Sequence, residues 1–360
     1  MQRAAPAPRR PERPTRWARL DAGQARVVLA LLAALLAACF TALSASPRIE
    51  PDVALYAGIV EAMRHGAGYY AAASAALRDG GNPLHSVLAL RLPGLALVEA
   101  ALPPLAVAGL LLLTVIAAAT AWVQRLREVV RPGVPLAAAV VLVILSLLMF
   151  AQPSLAALHE IWAGPLIALS LALRRPGRWI EAVLVALIAM LIRETVVLYA
   201  LAMFALAWID GARREALGWA AAVGLFAIVL AVHLIAASAA AGPLGLAGNG
   251  PGLLGFGFAV RAIVMVTPLT SLPLAVAAPL VGLALFGWAS WTSPAGLRGT
   301  ATLIAYIALV GIVAHDDAVP WAALVGPILP LGLIFVPDAL RELVTRALDR
   351  RRITVTRVER

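Results

Sequence analysis

Apolar runs of nearly 20 residues recur along this chain of 360 residues, and the first of them covers 27–45. A helix rises about 1.5 Å per residue, so a run of this length can cross the hydrocarbon core of a bilayer. Hydrophobic residues make up 62% of the chain and charged residues only 13%. The sequence therefore predicts an all-α protein, a polytopic transmembrane helical bundle.

Apolar length and the placement of the arginines predict about ten spans. The predicted spans are 27–45, 104–123, 135–151, 161–173, 179–192, 195–209, 217–239, 264–288, 300–314 and 318–336. The fourth, fifth and sixth of these are shorter than the roughly 20 residues that a straight crossing needs, so tilted, broken or incomplete spans remain open there.

Every one of the 29 basic residues is arginine, and the formal net charge is +10. The arginines concentrate in the two tails and in the loops QRLREVVR, RRPGR and ARRE. Positive loops stay on the cytoplasmic side, which predicts a multi-pass membrane protein with both termini in the cytoplasm. The charge is suited to membrane lipids rather than to nucleic acid. The single cysteine, Cys39, excludes a disulfide framework.

Composition divides the chain into four parts. Residues 1–26 are rich in arginine and proline and predict a disordered basic cytoplasmic tail. Apolar spans follow from 27 onwards, with a long outer loop at 46–103. Further transmembrane helices occupy 241–337, and 338–360 form a basic amphipathic cytoplasmic tail. The small residues in TALSAS leave a cleaved signal peptide as an alternative to an uncleaved first span.

The first outer loop, 46–103, departs from the simple apolar pattern. Helical stretches there are interrupted at His65-Gly66, at Gly80-Gly81 and at Pro93. Glycine and proline at these points end helices. The loop therefore predicts two or three short helices on the outer surface of the membrane.

Four local motifs accompany this organisation: EPDVALYAGIVEAMRHGAGYY, RLPGLALVEAALP, HEIWAG at the start of a span, and LIRET. Together with the inward N-terminus and the acidic first outer loop, they resemble the GT-C superfamily of integral-membrane glycosyltransferases, in a bacterial cell-surface glycopolymer branch. The resemblance covers about 27–240 and implies a GT-C-like membrane module. It also implies transfer of a sugar from a polyprenyl-phosphate donor to a periplasmic glycan or lipid of the cell envelope.

The residues that leave the first span suit the chemistry of such a transfer. A carboxylate at the membrane surface can take the proton of an acceptor hydroxyl, which makes Asp52 the predicted base and Glu50 the second choice. Tyr56 follows Asp52 by one helical turn and can orient the carboxylate or a sugar. Asp52 also follows Pro51 directly, so a purely structural role as a helix N-cap stays open.

Charged residues next to apolar segments are the predicted binding groups for the donor phosphate. They are Arg91, Arg193, Glu194, His159 and Glu160. A planar guanidinium suits phosphate oxygens. Each of these residues also has a structural alternative. Arg193 and Glu194 could form a salt bridge that closes a helical hairpin, and His159 and Glu160 could simply lie at the membrane interface. Arg91 could extend its side chain to the interface by snorkelling. These residues make no metal-ligand set by themselves, although a divalent metal ion remains open as a cofactor.

Two rival functions remain at the level of the sequence. A transporter or flippase of a lipid-linked glycan would also use buried charges and interrupted spans, but its two halves often match, and no convincing internal repeat is present. A non-catalytic membrane subunit of a glycopolymer assembly system is the other. Outside the site, His233 within a span predicts a hydrogen-bonded packing role more than a functional one.

Overall fold

The computed structural model describes residues 15–45, 47, 53–79, 90–241, 253–313 and 319–349. Within these ranges the secondary structure is helical, and the one extended pairing is an isolated bridge between Arg175 and Arg178. The all-α prediction is therefore confirmed for the described part of the chain. The two predicted carboxylate bases, Asp52 and Glu50, lie outside the described residues.

The helices follow one another with short connections. They are α1 (Ala22–Cys39), α2 (Val53–Arg64), α3 (Tyr69–Asp79), α4 (Gly94–Ala101), α5 (Pro104–Arg127), α6 (Val134–Leu148), α7 (His159–Leu173), α8 (Ile180–Ile192), α9 (Val197–Ile209), α10 (Arg213–Ala241), α11 (Gly255–Met265), α12 (Leu274–Ser290), α13 (Pro294–Ala308), α14 (Val319–Ala323) and α15 (Val336–Ala347). A π-helical turn at Leu309–Val313 continues α13, and a 3-10 segment at Leu329–Phe335 leads into α15.

Four of these helical segments are long and apolar enough to cross a membrane: Ala22–Leu43, Pro104–Arg127, Arg213–Ala240 and Pro294–Ile312. Several shorter apolar helices pack among them. The first segment begins at a capping box, in which Asp21 accepts a hydrogen bond from the backbone of Gln24 and the Gln24 side chain accepts one in return. Such a box satisfies amides at the helix start that have no partner within the helix.

Two predicted spans are not continuous helices. Within 264–288, α11 ends at Met265 and α12 begins only at Leu274, because Pro268 and Pro273 lack the amide hydrogen that a helix interior requires. Within 318–336, the short α14 gives way to turns and then to the 3-10 segment, in a stretch that contains Gly326, Pro327 and Pro330. Hydropathy alone cannot detect such interruptions.

The described part of 46–103, the predicted first outer loop, contains three short helices, α2, α3 and α4. Gly66 separates α2 from α3 with a φ of +95°, a conformation that favours glycine. A small apolar cluster joins these loop helices to α10 through Ala237. His233 on α10 lies 3.0 Å from the carbonyl oxygen of Leu90 and 3.1 Å from the hydroxyl of Tyr70. The predicted hydrogen-bonded packing role of His233 is therefore confirmed.

Buried ion pairs gather at one end of the bundle, which we call the arginine-rich end and define by Arg125, Arg174, Arg175 and Arg298. Arg174 binds Glu215 through two hydrogen bonds of 2.8 and 2.6 Å. Arg298 lies 2.8 Å from a carboxylate oxygen of Asp210. These pairs connect helix ends that lie next to the arginine-containing loops of the sequence.

The helix α7 connects the arginine-rich end to the opposite end of the bundle. Its 15 residues run from His159 to Leu173, a length of about 22 Å, and Arg174 follows directly. The start of α7 therefore lies far from the arginine-rich end, and α8 returns towards that start. The predicted C-terminal amphipathic helix is present as α15, but its apolar face packs against α1 and α12 instead of facing a lipid surface.

Candidate functional site

Four parts of the chain meet near the start of α7. Helix α2 supplies Tyr56, the segment before α4 supplies Arg91, the first turn of α7 supplies a His-Glu pair, and the junction between α8 and α9 supplies an Arg-Glu pair. We call this group the Arg193 cluster, and it consists of Tyr56, Arg91, His159, Glu160, Arg193 and Glu194. All of the predicted site residues that the structure describes are therefore neighbours, although they are spread over more than half of the membrane module.

Arg193 lies at the centre of the cluster and is 0% exposed. The helix α8 ends at Ile192, and the extended backbone of Arg193 turns the side chain towards α7. Its Nε lies 2.8 Å from a carboxylate oxygen of Glu160, and its Nη1 lies 3.5 Å from one of Glu194. Within the described residues, neither Nε nor Nη2 makes a hydrogen bond of good geometry. The guanidinium is thus held by two carboxylates and keeps a buried donor group unused.

Hydrogen bonds from three sides fix the segment before α4. The backbone amide of Leu92 donates to Glu194 over 2.9 Å, and Arg91 donates from Nε to the hydroxyl of Tyr56 over 3.2 Å. Tyr69 donates its hydroxyl to the carbonyl of Arg91 over 2.6 Å. Burial raises the pKa of Tyr69, which keeps this hydroxyl protonated as a donor. Arg91 is therefore held by contacts of both its backbone and its side chain, and snorkelling to the interface stays a prediction for it.

His159 has the most unusual environment in the cluster. Its ring packs edge-on against Tyr56, with a distance of 4.8 Å between ring centroids and an interplanar angle of 67°. The residue is 4% exposed, and neither ring nitrogen has a hydrogen-bond partner in the part of the chain that the structure describes. Buried polar atoms are nearly always paired, so the two nitrogens mark a place where a ligand or a water molecule is expected. The interfacial position of the His-Glu pair stays a prediction, because burial among protein side chains does not fix the depth of the pair in a membrane.

The sequence analysis missed Glu99, which lies beside this imidazole. Glu99 is 5% exposed, and its Oε1 has no hydrogen-bond partner among the described residues. Burial raises the pKa of Glu99 to about 7, against the opposing effect of the Arg64 charge. The available signal was a single carboxylate in the otherwise apolar helix GLALVEAA.

A narrow cleft joins Glu99 to the Arg193 cluster. Its lining residues are Tyr56, Ile59, Val60, Tyr69, Leu95, Ala96, Glu99, Ala157 and His159. The cleft contains a carboxyl group and an imidazole, both buried and both incompletely paired. The volume of the cleft is about 10 Å³, which is room for a single group of the size of a water molecule or a hydroxyl. Each of the two side chains can donate a hydrogen bond to such a group or accept one from it.

Asp52 directly precedes Val53, the first residue of α2, and Tyr56 lies in the first turn of that helix. The catalytic and capping roles of Asp52 concern a residue outside the described ranges, so both stay predictions. Arg261 donates to the carbonyl of Ala45 at the end of the first span.

The described residues do not form a metal site by themselves. In the ranges that the structure describes, no group of three or more His, Cys, Asp and Glu side chains is arranged to hold a metal ion. The carboxylates of Glu160 and Glu194 both face the guanidinium of Arg193, whose charge opposes a second cation at that point. A divalent metal ion therefore does not fit the Arg193 cluster as it is described.

Comparison with protein-family models, with curated proteins and with solved structures finds no match to this chain. The resemblance to GT-C enzymes thus rests on the local motifs of the first outer loop and of the spans that follow it. Function has to be inferred from the chemistry of the Arg193 cluster and of the adjoining cleft.

Proposed function

We propose that this protein is a glycosyltransferase of GT-C type in the bacterial inner membrane, with about ten spans. In this proposal it transfers a sugar from a polyprenyl-phosphate donor to a glycan or lipid of the envelope. The observation that carries the proposal is the convergence of Arg91 and Arg193 beside the cleft of His159 and Glu99. Cations for a phosphate and hydrogen-bonding groups for a hydroxyl are thus adjacent.

Arg193 supplies the phosphate-binding group. The carboxylates of Glu160 and Glu194 orient its guanidinium, and the unpaired Nη2 retains donors for a phosphate oxygen. Arg91 adds a second guanidinium, which is oriented by Tyr56. Fixed donors of this kind stabilise negative charge as it develops on a leaving phosphate, because little reorganisation is needed when the reaction occurs.

The transfer step then involves one bond formed and one broken. The acceptor hydroxyl oxygen attacks the anomeric carbon of the sugar, and the bond from that carbon to the phosphate oxygen breaks. The electron pair leaves with the polyprenyl phosphate, and Asp52 takes the hydroxyl proton. Asp52 is assigned this role because it directly precedes α2, whose first turn carries Tyr56.

The orientation in the membrane follows from the two ends of α7. The arginine-rich end faces the cytoplasm by the positive-inside rule, which places both termini there. The Arg193 cluster then faces the periplasm, at the depth where a lipid-linked donor presents its phosphate. Donor, acceptor and membrane lipids are the partners that this arrangement requires.

The decisive experiment is transfer of radiolabelled sugar by purified protein in lipid nanodiscs. A panel of polyprenyl-phosphate sugars is offered to the wild type, to Asp52→Asn and to Arg193→Gln. Glu61→Gln is the control, because Glu61 is an exposed carboxylate on α2. We expect transfer by the wild type and by the control, and loss of transfer in folded Asp52→Asn protein.

Other outcomes have defined meanings. Activity that persists in Asp52→Asn would support the glycosyltransferase but contradict Asp52 as its base. Glu50→Gln is then the next variant to measure. Absence of transfer from every donor, together with binding of a lipid-linked glycan, contradicts the glycosyltransferase. It would support the flippase or the assembly subunit instead.

A further inference from the structure

A second pocket lies at the arginine-rich end, far from the Arg193 cluster. Its volume is about 550 Å³, within the range of roughly 300–1,000 Å³ that is usual for sites of small ligands. The end of α5, the turn between α7 and α8, the junction of α12 with α13 and the start of α15 surround it. The proposed glycosyl transfer does not use this pocket.

Arg125 places a buried cation in the wall of the pocket. The residue is 5% exposed, and its Nη1 donates to the carbonyl of Arg174 over 2.8 Å and to that of Ala172 over 3.3 Å. Its Nε and Nη2 make no hydrogen bond to any of the described residues, and no carboxylate there forms an ion pair with it. A buried guanidinium with unused donors favours an anionic ligand, above all a phosphate.

Two further charges in the lining neutralise each other. Arg175 and Glu128 lie 2.7 Å apart, and both are partly exposed. This pair leaves one carboxylate of the pocket, Asp338, without a counter-charge. Asp338 lies in the first turn of α15, and within the described residues its side chain has no hydrogen-bond or ion-pair partner. The pocket therefore contains one cation and one anion that make no ion pair with any of the described residues.

The remaining wall of the pocket is aromatic. Trp291 and Phe335 stack with ring centroids 4.6 Å apart and planes inclined by 18°. Both rings line the pocket, next to the hydroxyl-bearing Ser293. Aromatic side chains with a polar edge are favoured where a membrane meets water. An apolar wall between two opposite charges suits an amphiphile with a zwitterionic headgroup.

We propose that this pocket binds a phosphoethanolamine headgroup, with its phosphate on Arg125, its ammonium group on Asp338 and the adjoining apolar part on Trp291 and Phe335. A primary ammonium donates hydrogen bonds to a carboxylate, whereas a quaternary ammonium cannot. The pocket should therefore distinguish ethanolamine from choline, and a zwitterion from a purely anionic headgroup. The same chemistry occurs in a phospholipid and in free phosphoethanolamine.

Native mass spectrometry of the purified full chain tests the proposal. The detergent-solubilised protein is offered phosphatidylethanolamine, phosphatidylcholine and phosphatidylglycerol with identical acyl chains. We expect preferential retention of phosphatidylethanolamine by the wild type and a loss of about tenfold in Asp338→Asn. Glu181→Gln is the matched control, because it removes an exposed carboxylate from the start of α8 without touching the pocket.

The arms of the experiment separate the possible sources of the ligand. Displacement of the lipid by soluble phosphoethanolamine shows that the headgroup alone is recognised, and absence of displacement shows that the intact phospholipid is required. Equal retention of the three lipids by the wild type overturns the proposal, as does an unchanged preference in Asp338→Asn. Asp338 is chosen for the substitution because it is exposed, so Asp338→Asn should leave the fold intact. Arg125 is buried, and Arg125→Gln could fail to fold.

Discussion

Arg193 and Glu160 form an ion pair with an N–O distance of 2.8 Å, and both side chains are more than nine-tenths buried. The two residues belong to different helices, since Glu160 lies in the first turn of α7 and Arg193 follows the last residue of α8. The pair therefore fixes the two helix ends that carry the proposed phosphate site. Burying two charges costs desolvation energy, which their mutual attraction offsets. Loss of one partner leaves the other charge buried without that attraction and is therefore strongly destabilising.

We expect Glu160→Gln to lower the free energy of unfolding by about 3 kcal/mol, because it leaves the buried Arg193 with only the longer contact to Glu194. The measurement is the thermal unfolding midpoint in detergent micelles. Glu61→Gln is the control, since its exposed contacts with Arg64 and His65 should change the stability by less than about 1 kcal/mol. Equal midpoints for Glu160→Gln and wild type would contradict the conclusion that this ion pair fixes the two helix ends.

Tyr56→Phe removes the hydroxyl that accepts a hydrogen bond from Arg91 but keeps the ring that packs on His159. We expect the rate of sugar transfer to fall about tenfold, while stability changes by no more than about 1 kcal/mol. Steady-state kinetics in nanodiscs provide the measurement. Tyr70→Phe is the control, because its hydroxyl contacts His233 instead of the Arg193 cluster. A similar loss in both variants would show a general effect on the loop helices.

The carboxyl group of Glu99 makes the stability depend on pH. Burial raises its pKa to about 7, whereas an unfolded glutamate ionises near about 4.3. The folded protein must therefore hold a proton that the unfolded chain has released, and its stability falls as the pH rises from about 4 to 7. Above that range the full cost, up to about 3 kcal/mol, is present.

Glu99→Gln removes this cost. We expect the variant to unfold at a higher temperature than the wild type at pH 8 and at the same temperature near pH 4, as recorded by thermal unfolding in detergent. An equal difference at both pH values would mean that the carboxyl does not titrate between them in the folded protein.

Gly287 allows α12 to approach the 3-10 segment at Leu329–Phe335. A Cβ at this position would overlap the carbonyl of Gly332, which is backbone and cannot move aside cheaply. We expect Gly287→Ala to destabilise the protein by about 3 kcal/mol. The control, Gly224→Ala on α10, meets open space and should stabilise by up to about 1 kcal/mol. Unfolding midpoints of the two variants on the same side of the wild type would contradict this packing.

Several local features of the site could be predicted from sequence, because they depend on spacing or on the cost of burying charge. The glycines after α2 predicted separate loop helices, and the charges of LIRET within apolar sequence predicted a buried or functional group. The partner of Arg193 could not be predicted. Its neighbour Glu194 was the obvious choice, yet the shorter contact is with Glu160 on another helix.

The sequence by itself determined that the chain is helical and apolar, since run length and composition decide whether a segment can bury its backbone in lipid. It also located the breaks around the loop helices, which depend on local glycine and proline. Only the tertiary structure decided that Arg193 pairs with Glu160, that Glu99 shares a cleft with His159, and that α15 packs on α1. These relationships join residues far apart in the chain, and helix packing, which hydropathy does not encode, brings them together.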